Sequence, residues 1–366
     1  MKIECVGEKL IQAISKCEKT SMKHPTLPVL KCILFEAEDG VLTLKSTNLD
    51  LGIRVSLPVK VSKGGVVAVP GSVVGSYINN LSRAKSIVLE TEGENLKISS
   101  KDCSALIKCF PHEDFPNIPL VEGGVNLKIN AKDFVNGMRS VWYSAAVSSM
   151  KPELSSVYIY SEDDVLIFVA TDSFRLAEKR VKVKKITEPV NLMIPFKNVL
   201  EIIRVLDEID DDASVSFNKN QISFAFEEIY LTSRIVEGNF PDYKQIIPKE
   251  YKTEAVVLKY DFVNSLKLAN VFSDKFNQIN INIKPGDRIL SLTTCNSDVG
   301  ENVTALDGAL SGEDQDVNFN YKYIADCFQS INSDSISLQF NDKSKPMVVK
   351  GVNDRSFMYL VMPMNR

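Results

Sequence analysis

Two histidines, seven cysteines, a short glycine–serine run and one dense acidic stretch are the residues whose side chains could be put to chemical work. A zinc centre needs Cys or His at short spacings. Cys5, Cys17, Cys32, Cys103, Cys109, Cys295 and Cys327 form no CxxC pair, and His24 and His112 are the only imidazoles. Neither histidine lies near a Ser or Cys motif that it could activate; both sit in proline-containing loops, MKHPTLP and Phe110-Pro111-His112. Gly71-Ser72-Val73-Val74-Gly75 is no nucleophile elbow, because its serine is off-centre between the glycines. Phosphate-cradling GxGxxG and GxxxxGK[ST] loops do not occur. The run Asp207-Glu208-Ile209-Asp210-Asp211-Asp212 lacks the glycine and terminal glutamate of a calcium loop and reads as a solvated turn after a helix. The expectation is a binding protein with no catalytic residue, metal or cofactor.

What positions the remaining residues is a repeat. GVLTLKSTNL from Gly40, DVLIFVATDS from Asp164 and RILSLTTCNS from Arg288 share one pattern at intervals of 124 residues. Each alternates apolar and polar residues, as a half-buried strand does, and ends on Thr or Cys followed by Asn or Asp. Val69-Pro70, Ile194-Pro195 and Phe319-Asn320 follow at intervals of 125, each opening a helical stretch. Val74/Val199/Ile324, Ile78/Ile203/Phe328 and Leu81/Leu206/Ile331 superpose as i, i+4, i+7, one face of a helix. A second helical stretch precedes each ten-mer, from Gly7 (GEKLIQAISKCEK), Ala131 (AKDFVNGMRSVWYSAA) and Lys259 (KYDFVNSLKLANVF). A repeat this long is a domain, not a solenoid unit.

Three domains are therefore expected, over residues 1–121, 127–248 and 249–366, each with two helices packed on antiparallel sheets: an α+β class with hairpins at Glu38-Asp39-Gly40, Asn218-Lys219-Asn220 and Lys284-Pro285-Gly286-Asp287. At 366 residues, each domain is large enough to bury its own core. Hydrophobic residues make up 44% and charged residues 25%, and no apolar run reaches the length of a membrane span. The cysteine pattern, with no export signal at MKIECVGEKL, points to a reducing cytoplasmic setting.

Several separate motifs stand in the order of a known family. MKHPTLPVL (22–30), EDFPNIP (113–119), ATDSFRLAEKRV (170–181), IPFKNVLEIIRVLD (194–207), EGNFPDYKQIIP (237–248) and YLVMPMNR (359–366) resemble the bacterial DNA polymerase III beta subunits, the sliding clamps. The resemblance runs the length of the chain. It implies a head-to-tail homodimeric ring of pseudo-sixfold character, without enzymatic activity, that encircles duplex DNA irrespective of sequence. It also implies tethering of the replicative polymerase and other proteins bearing a linear clamp-binding motif, and placement on DNA by a clamp loader. Packing geometry gives the ring a reason: six helices about 9 Å apart enclose a hole of about 18 Å, too tight for a hydrated duplex, whereas two chains give about 35 Å. A peptide-binding ring with no replication role is the alternative.

The resemblance places a partner-peptide pocket at Leu154, Thr171, Ser173, Phe174, Arg175 and Leu176, together with Pro241, Ile246, Leu360, Met362, Pro363 and Met364. Adaptable methionines and a few polar groups suit such a pocket. Phe174 stands where the family usually has histidine, Ser173 where it has glycine and Glu153 where an aromatic is frequent, so peptide preference is expected to differ. DNA-facing roles fall to His24, Lys197, Arg204, Asn320 and Tyr323, and the dimer interface to Ala105, Ile107 and Cys109 against Asn270, Val271 and Phe272. Net charge is −4. A clamp that holds DNA by topology needs only mild basicity on its helices, where Lys9, Lys16, Lys19, Lys132, Arg139 and Lys322 lie; acids collect in strands and loops. Ser72, Val73, Phe196 and Gln245 replace residues that are often basic in the family, which weakens direct phosphate contact.

Overall fold

A computed structural model describes residues 1–21, 27–81, 85–122, 124–148 and 150–364. Six α-helices occur among them: α1 Gly7–Glu18, α2 Gly71–Asn79, α3 Ala131–Arg139, α4 Phe196–Leu206, α5 Lys259–Val271 and α6 Tyr321–Asp326. Every strand pair described is antiparallel, and the class is α+β. The three ten-mers form Val41–Thr47, Val165–Thr171 and Ile289–Asn296. The first hairpin turns at Asp39 (φ 47°) and Gly40 (φ 82°), the two positive dihedrals that let a two-residue turn follow the strand twist.

The predicted helical faces are buried. Val74 and Ile78 on α2, Val199, Ile203 and Leu206 on α4, and Ile324, Phe328 and Ile331 are all in the core. Each such side chain contributes about 1.5–3 kcal/mol by leaving water. Three helices, α2, α3 and α6, are shorter than their patterns. The 131–146 stretch leaves the α-helix at Arg139 and tightens into a 3-10 turn at Trp142–Ser144, with the Ser140 Oγ donating to the Asn136 carbonyl at 2.7 Å. Helix α6 gives way to a 3-10 turn at Cys327–Ser330, which brings the Ser330 Oγ to the Ser140 carbonyl at 3.1 Å and to the Tyr143 hydroxyl at 3.0 Å. Leu81 lies past the end of α2, half-buried. Gly137 on α3 is there for close approach: a Cβ would meet the Phe168 ring at 2.4 Å.

The chain divides into two compact units, 1–132 with 200–235, and 133–199 with 236–366. The first holds a five-stranded sheet, ordered Lys60–Lys63, Lys2–Val6, Ser86–Glu92, Asn95–Ser99, Ser104–Lys108. Its eight-stranded sheet runs Val125–Asn130, Asp212–Phe217, Gln221–Ala225, Ile229–Arg234, Leu51–Pro58, Val41–Thr47, Cys32–Glu38, Gly65–Pro70. In the second unit a nine-stranded sheet runs Asn191–Pro195, Ser156–Glu162, Val165–Thr171, Arg175–Lys182, Phe357–Val361, Met347–Gly351, Ser335–Phe340, Thr253–Leu258, Gly308–Gly312. A four-stranded sheet there runs Gly300–Ala305, Ile289–Asn296, Gln278–Lys284, Gln315–Asn320.

One pairing rule recurs in both large sheets. The strand after a ten-mer pairs with the last strand of the following repeat: Leu51–Pro58 with Ile229–Arg234, and Arg175–Lys182 with Phe357–Val361. The remaining members of the series, Gly300–Ala305 after the third ten-mer and Ser104–Lys108 at the end of the first repeat, are both edge strands.

The thiols differ sharply in access. Cys5, Cys17, Cys32 and Cys327 are buried, whereas Cys103 and Cys295 are exposed. Burial, with smaller contributions from the Glu4 and Cys109 neighbours respectively, pushes Cys5 and Cys32 up to about 12. Brief iodoacetamide treatment of the native protein at neutral pH should therefore label Cys103 and Cys295 at least about tenfold faster than the four buried thiols, read by peptide mass spectrometry. Uniform labelling would contradict the burial.

Candidate functional site

The second ten-mer ends in a turn whose backbone is held by its own side chains. The Thr171 hydroxyl donates to the Arg175 carbonyl at 2.7 Å and accepts from the Ser173 amide at 3.2 Å. Asp172 Oδ1 accepts from the amides of Phe174 and Arg175 at 2.9 and 3.0 Å, the Asx device that short polar residues bring to turns. Ser173 takes φ +77° at the tip, and Phe174 beside it is 58% exposed.

Arg175 is enclosed by acids and an aromatic ring. Its Nε donates to Asp172 Oδ2 at 3.0 Å, its Nη1 pairs with Asp326, and its guanidinium carbon lies 4.7 Å from the Tyr323 ring centre. Burial works against that charge, yet Tyr359, Asp326 and Asp172 together hold it above the ordinary arginine value. The Phe174 ring lies nearly parallel to Tyr323, centroids 6.3 Å apart at 19°. The carboxylates fix the guanidinium, and the guanidinium fixes the ring.

Beneath the turn the strands close over an apolar floor. Leu176 stands opposite Leu360, and both join Ile167, Val169, Tyr243 and Val348 in one buried cluster. The Met362 amide donates to the Phe174 carbonyl at 2.8 Å and the Met364 amide to the Asn318 carbonyl at 2.8 Å. Met362, Pro363 and Met364 are each half-buried. Pro241 and Ile246, both exposed, flank the buried Tyr243. Leu154 is buried on the loop before Ser156–Glu162, its carbonyl accepting from the Ala146 amide at 2.8 Å; Glu153 precedes it, half-buried. The turn, the Leu176–Leu360 pair and Met362–Met364 thus come together, with half-covered apolar side chains around a fixed polar centre. Such a surface can seat an apolar side chain of a partner. Among its described residues nothing pairs a nucleophile with a base.

Of the residues expected to face DNA, His24 lies outside the described residues. Lys197 is exposed on α4, and Arg204, two turns on, pairs with Glu201 at 2.6 Å. Asn320 caps α6, accepting from the Lys322 amide at 2.9 Å. The geometry groups Tyr323 with Phe174 and Arg175. Lys16, Lys19 and Arg204 border one cavity of about 170 Å³. The acidic run is an exposed turn past the end of α4, as expected, and within it Glu208 pairs with Lys16 at 3.3 Å and Asp210 with Lys132 at 2.6 Å. His112 is exposed, 3.9 Å from the Glu113 carboxylate.

At the expected dimer contact, Ala105 and Ile107 lie on the edge strand Ser104–Lys108 and Cys109 just beyond it. Ile107 is buried within the chain, while Leu106 is 56% exposed. Asn270 and Val271 end α5 and are exposed; Phe272 follows, half-buried. Gly300–Ala305, absent from the residues expected at that contact, is a second edge strand, and its Val303 is 66% exposed. The 124–125-residue register that relates Leu51–Pro58 to Arg175–Lys182 points straight at it.

Three models of the DNA polymerase III beta subunit match this chain in order: the N-terminal domain over residues 1–119, the central domain over 128–242 and the C-terminal domain over 244–365. The chain belongs to the DNA polymerase III beta subunit family. A beta sliding clamp of Synechococcus elongatus is 26% identical over 370 residues, covering 99% of each chain. The DNA polymerase III beta subunit of Thermotoga maritima superposes with a TM-score of 0.95 at 26% identity, covering 100% of this chain and 99% of that one. A sliding clamp from Pseudomonas aeruginosa, solved bound to griselimycin, shares the fold with a TM-score of 0.94 at 21% identity over the whole of both chains.

Within this beta-subunit fold the site has an internal counterpart. Leu49 takes φ +78°, and the Thr47 hydroxyl donates to the Leu51 carbonyl at 2.9 Å, the Ser173 turn repeated 124 residues earlier. The Arg234 amide meets the Asp50 carbonyl at 2.7 Å as Met362 meets Phe174. Yet Gly52 replaces Leu176 and Thr232 replaces Leu360. A Cβ on Gly52 would come within 2.8 Å of an Ile118 methyl, and the cavity left is about 60 Å³. The chain's own Ile118 fills the first copy; the second is where apolar side chains remain at the surface.

Proposed function

We propose that this beta-subunit chain is a DNA sliding clamp: two copies close head to tail into a ring around duplex DNA and tether the replicative polymerase and other proteins through the Arg175 site. Three domains, 1–121, 127–248 and 249–366, build it. The observation that carries the reading is the unfinished pairing rule. Ser104–Lys108 and Gly300–Ala305 are the two open edges left by a series whose other members are paired within the chain. Open edges invite association, and a contact between different surfaces of identical copies generates a closed ring when its rotation closes. The chain is not an enzyme in this reading. A clamp loader opens and places the ring, the protein works in the cytoplasm, and Lys197, Arg204, Asn320 and the α1 lysines line the DNA side.

The partner site rests on Phe174, Ile246 and the Met362–Met364 stretch lying over the Leu176–Leu360 floor. Met362→Ala should weaken a fluorescein-labelled clamp-binding peptide by about 1–3 kcal/mol, the loss expected of an anchor side chain, in a polarisation titration. Unchanged affinity would take Met362 out of the site. The result bears on tethering alone; ring closure is tested separately below.

A further inference from the structure

A buried carboxylate next to this site takes no part in the contacts described so far. Glu178, two residues beyond Leu176, is 5% exposed. Its Oε2 accepts from the Tyr243 hydroxyl at 2.5 Å and its Oε1 from Arg180 Nε at 2.8 Å. The Tyr243 hydroxyl also shares a 2.8 Å hydrogen bond with the Tyr160 hydroxyl. Arg180 faces Glu162 at 3.5 Å, Glu162 holds Lys244, and the Lys244 ammonium sits 5.2 Å from the Tyr160 ring centre. Burial, and then the bond to Glu178, pushes the Tyr243 hydroxyl far above its ordinary value, so it remains a donor at any physiological pH. A short bond from a hydroxyl to a carboxylate is among the stronger kind.

The bond matters because of where Tyr243 sits. Its ring packs in the cluster that contains Leu176 and Leu360 and meets Phe240 edge-on at 6.2 Å. Its amide donates to the Pro241 carbonyl at 2.7 Å, and the 3-10 turn Tyr243–Ile246 carries Ile246 to the surface. The first repeat makes the same tether with different chemistry. Arg54, 124 residues before Glu178, donates through Nη2 to the carbonyl of Ile118, which is the counterpart of Tyr243. That strand position holds the Phe-Pro segment in both copies, by a cation and a carbonyl in one and by an anion and a hydroxyl in the other.

We infer that the Tyr243–Glu178 bond is a latch that positions the Pro241–Ile246 wall of the partner site, so that partner affinity depends on a contact the peptide never touches. The inference rests on the pocket reading above. Tyr243→Phe in the full-length protein leaves Glu178 Oε2 buried and short of its donor, and should raise the Kd of the fluorescein-labelled clamp-binding peptide about five- to tenfold. Arg54→Leu, which breaks the counterpart tether in the first repeat, should leave that Kd within about twofold; this separates local positioning from general destabilisation. Hydrogen exchange of the peptide-free protein reads the latch directly: amides of residues 240–248 should exchange faster in Tyr243→Phe, and those of 115–119 in Arg54→Leu. Should Tyr243→Phe fail to fold, Glu178→Ala tests the same bond while leaving the Tyr160–Tyr243 pair. Faster exchange at 240–248 with unchanged peptide affinity overturns the inference, as does unchanged exchange. If wild-type protein binds no peptide, the pocket reading fails, while the exchange comparison still decides whether the latch exists.

Discussion

Leu106→Glu, or Val303→Glu, should leave the protein folded and make it monomeric. Both residues lie on edge strands and are largely exposed within one chain, so unfolding stability should move by no more than about 0.5 kcal/mol. In a ring each would be covered by the other copy's edge, and a carboxylate there without a partner weakens association by roughly 100-fold or more. Sedimentation velocity at micromolar concentration should show a dimer for wild type and a monomer for either variant. A dimer that survives both substitutions would mean that these edges do not close it.

Arg175→Ala should have the second large effect, and a different one. Asp172 and Arg175 side chains are only 14% and 12% exposed, so removing the guanidinium strands a carboxylate inside the turn and frees Tyr323. A fully buried broken pair costs about 3–5 kcal/mol; with Asp326 partly solvated, about 2–4 kcal/mol is expected here. The single tryptophan, Trp142, belongs to the same unit and gives a local fluorescence signal for its unfolding in urea. Peptide affinity should fall at least about tenfold, since the turn that presents Phe174 loses its centre. Arg175→Lys should restore little of either, because an ammonium lacks the planar fork that reaches both Asp172 and Asp326 while lying over a ring. A stability change under about 1 kcal/mol together with unaltered affinity would contradict the arrangement.

Much of the fold was legible because one pattern is written three times. Val74, Val199 and Ile324 announce the helices by sharing a register, and alternation in the ten-mers announces the strands. The limits of that reading are equally physical. Helix α6 breaks after Asp326 because Ser330 bonds to Ser140 and Tyr143, residues nearly 200 positions away. Gly300–Ala305 (GENVTA) is poor in strand formers, and only its sheet partner and its register make it a strand. Candidate-site residues on one motif, such as Thr171 to Leu176, are adjacent in sequence and so are legible together. Tyr323, Asp326 and Tyr243 reach the site from other elements. Asp172, by contrast, could have been read, since an aspartate at the head of a turn bonds amides two and three residues on.

The most direct test of the central claim is retention on DNA of two topologies. Wild-type protein placed on nicked circular DNA by its clamp loader, then gel-filtered at high salt, should stay with the circle and be lost when one restriction cut linearises it. Leu106→Glu should be retained on neither. Equal retention of wild type on circle and line would mean that ordinary contacts hold the protein, and would contradict a ring that encloses the duplex.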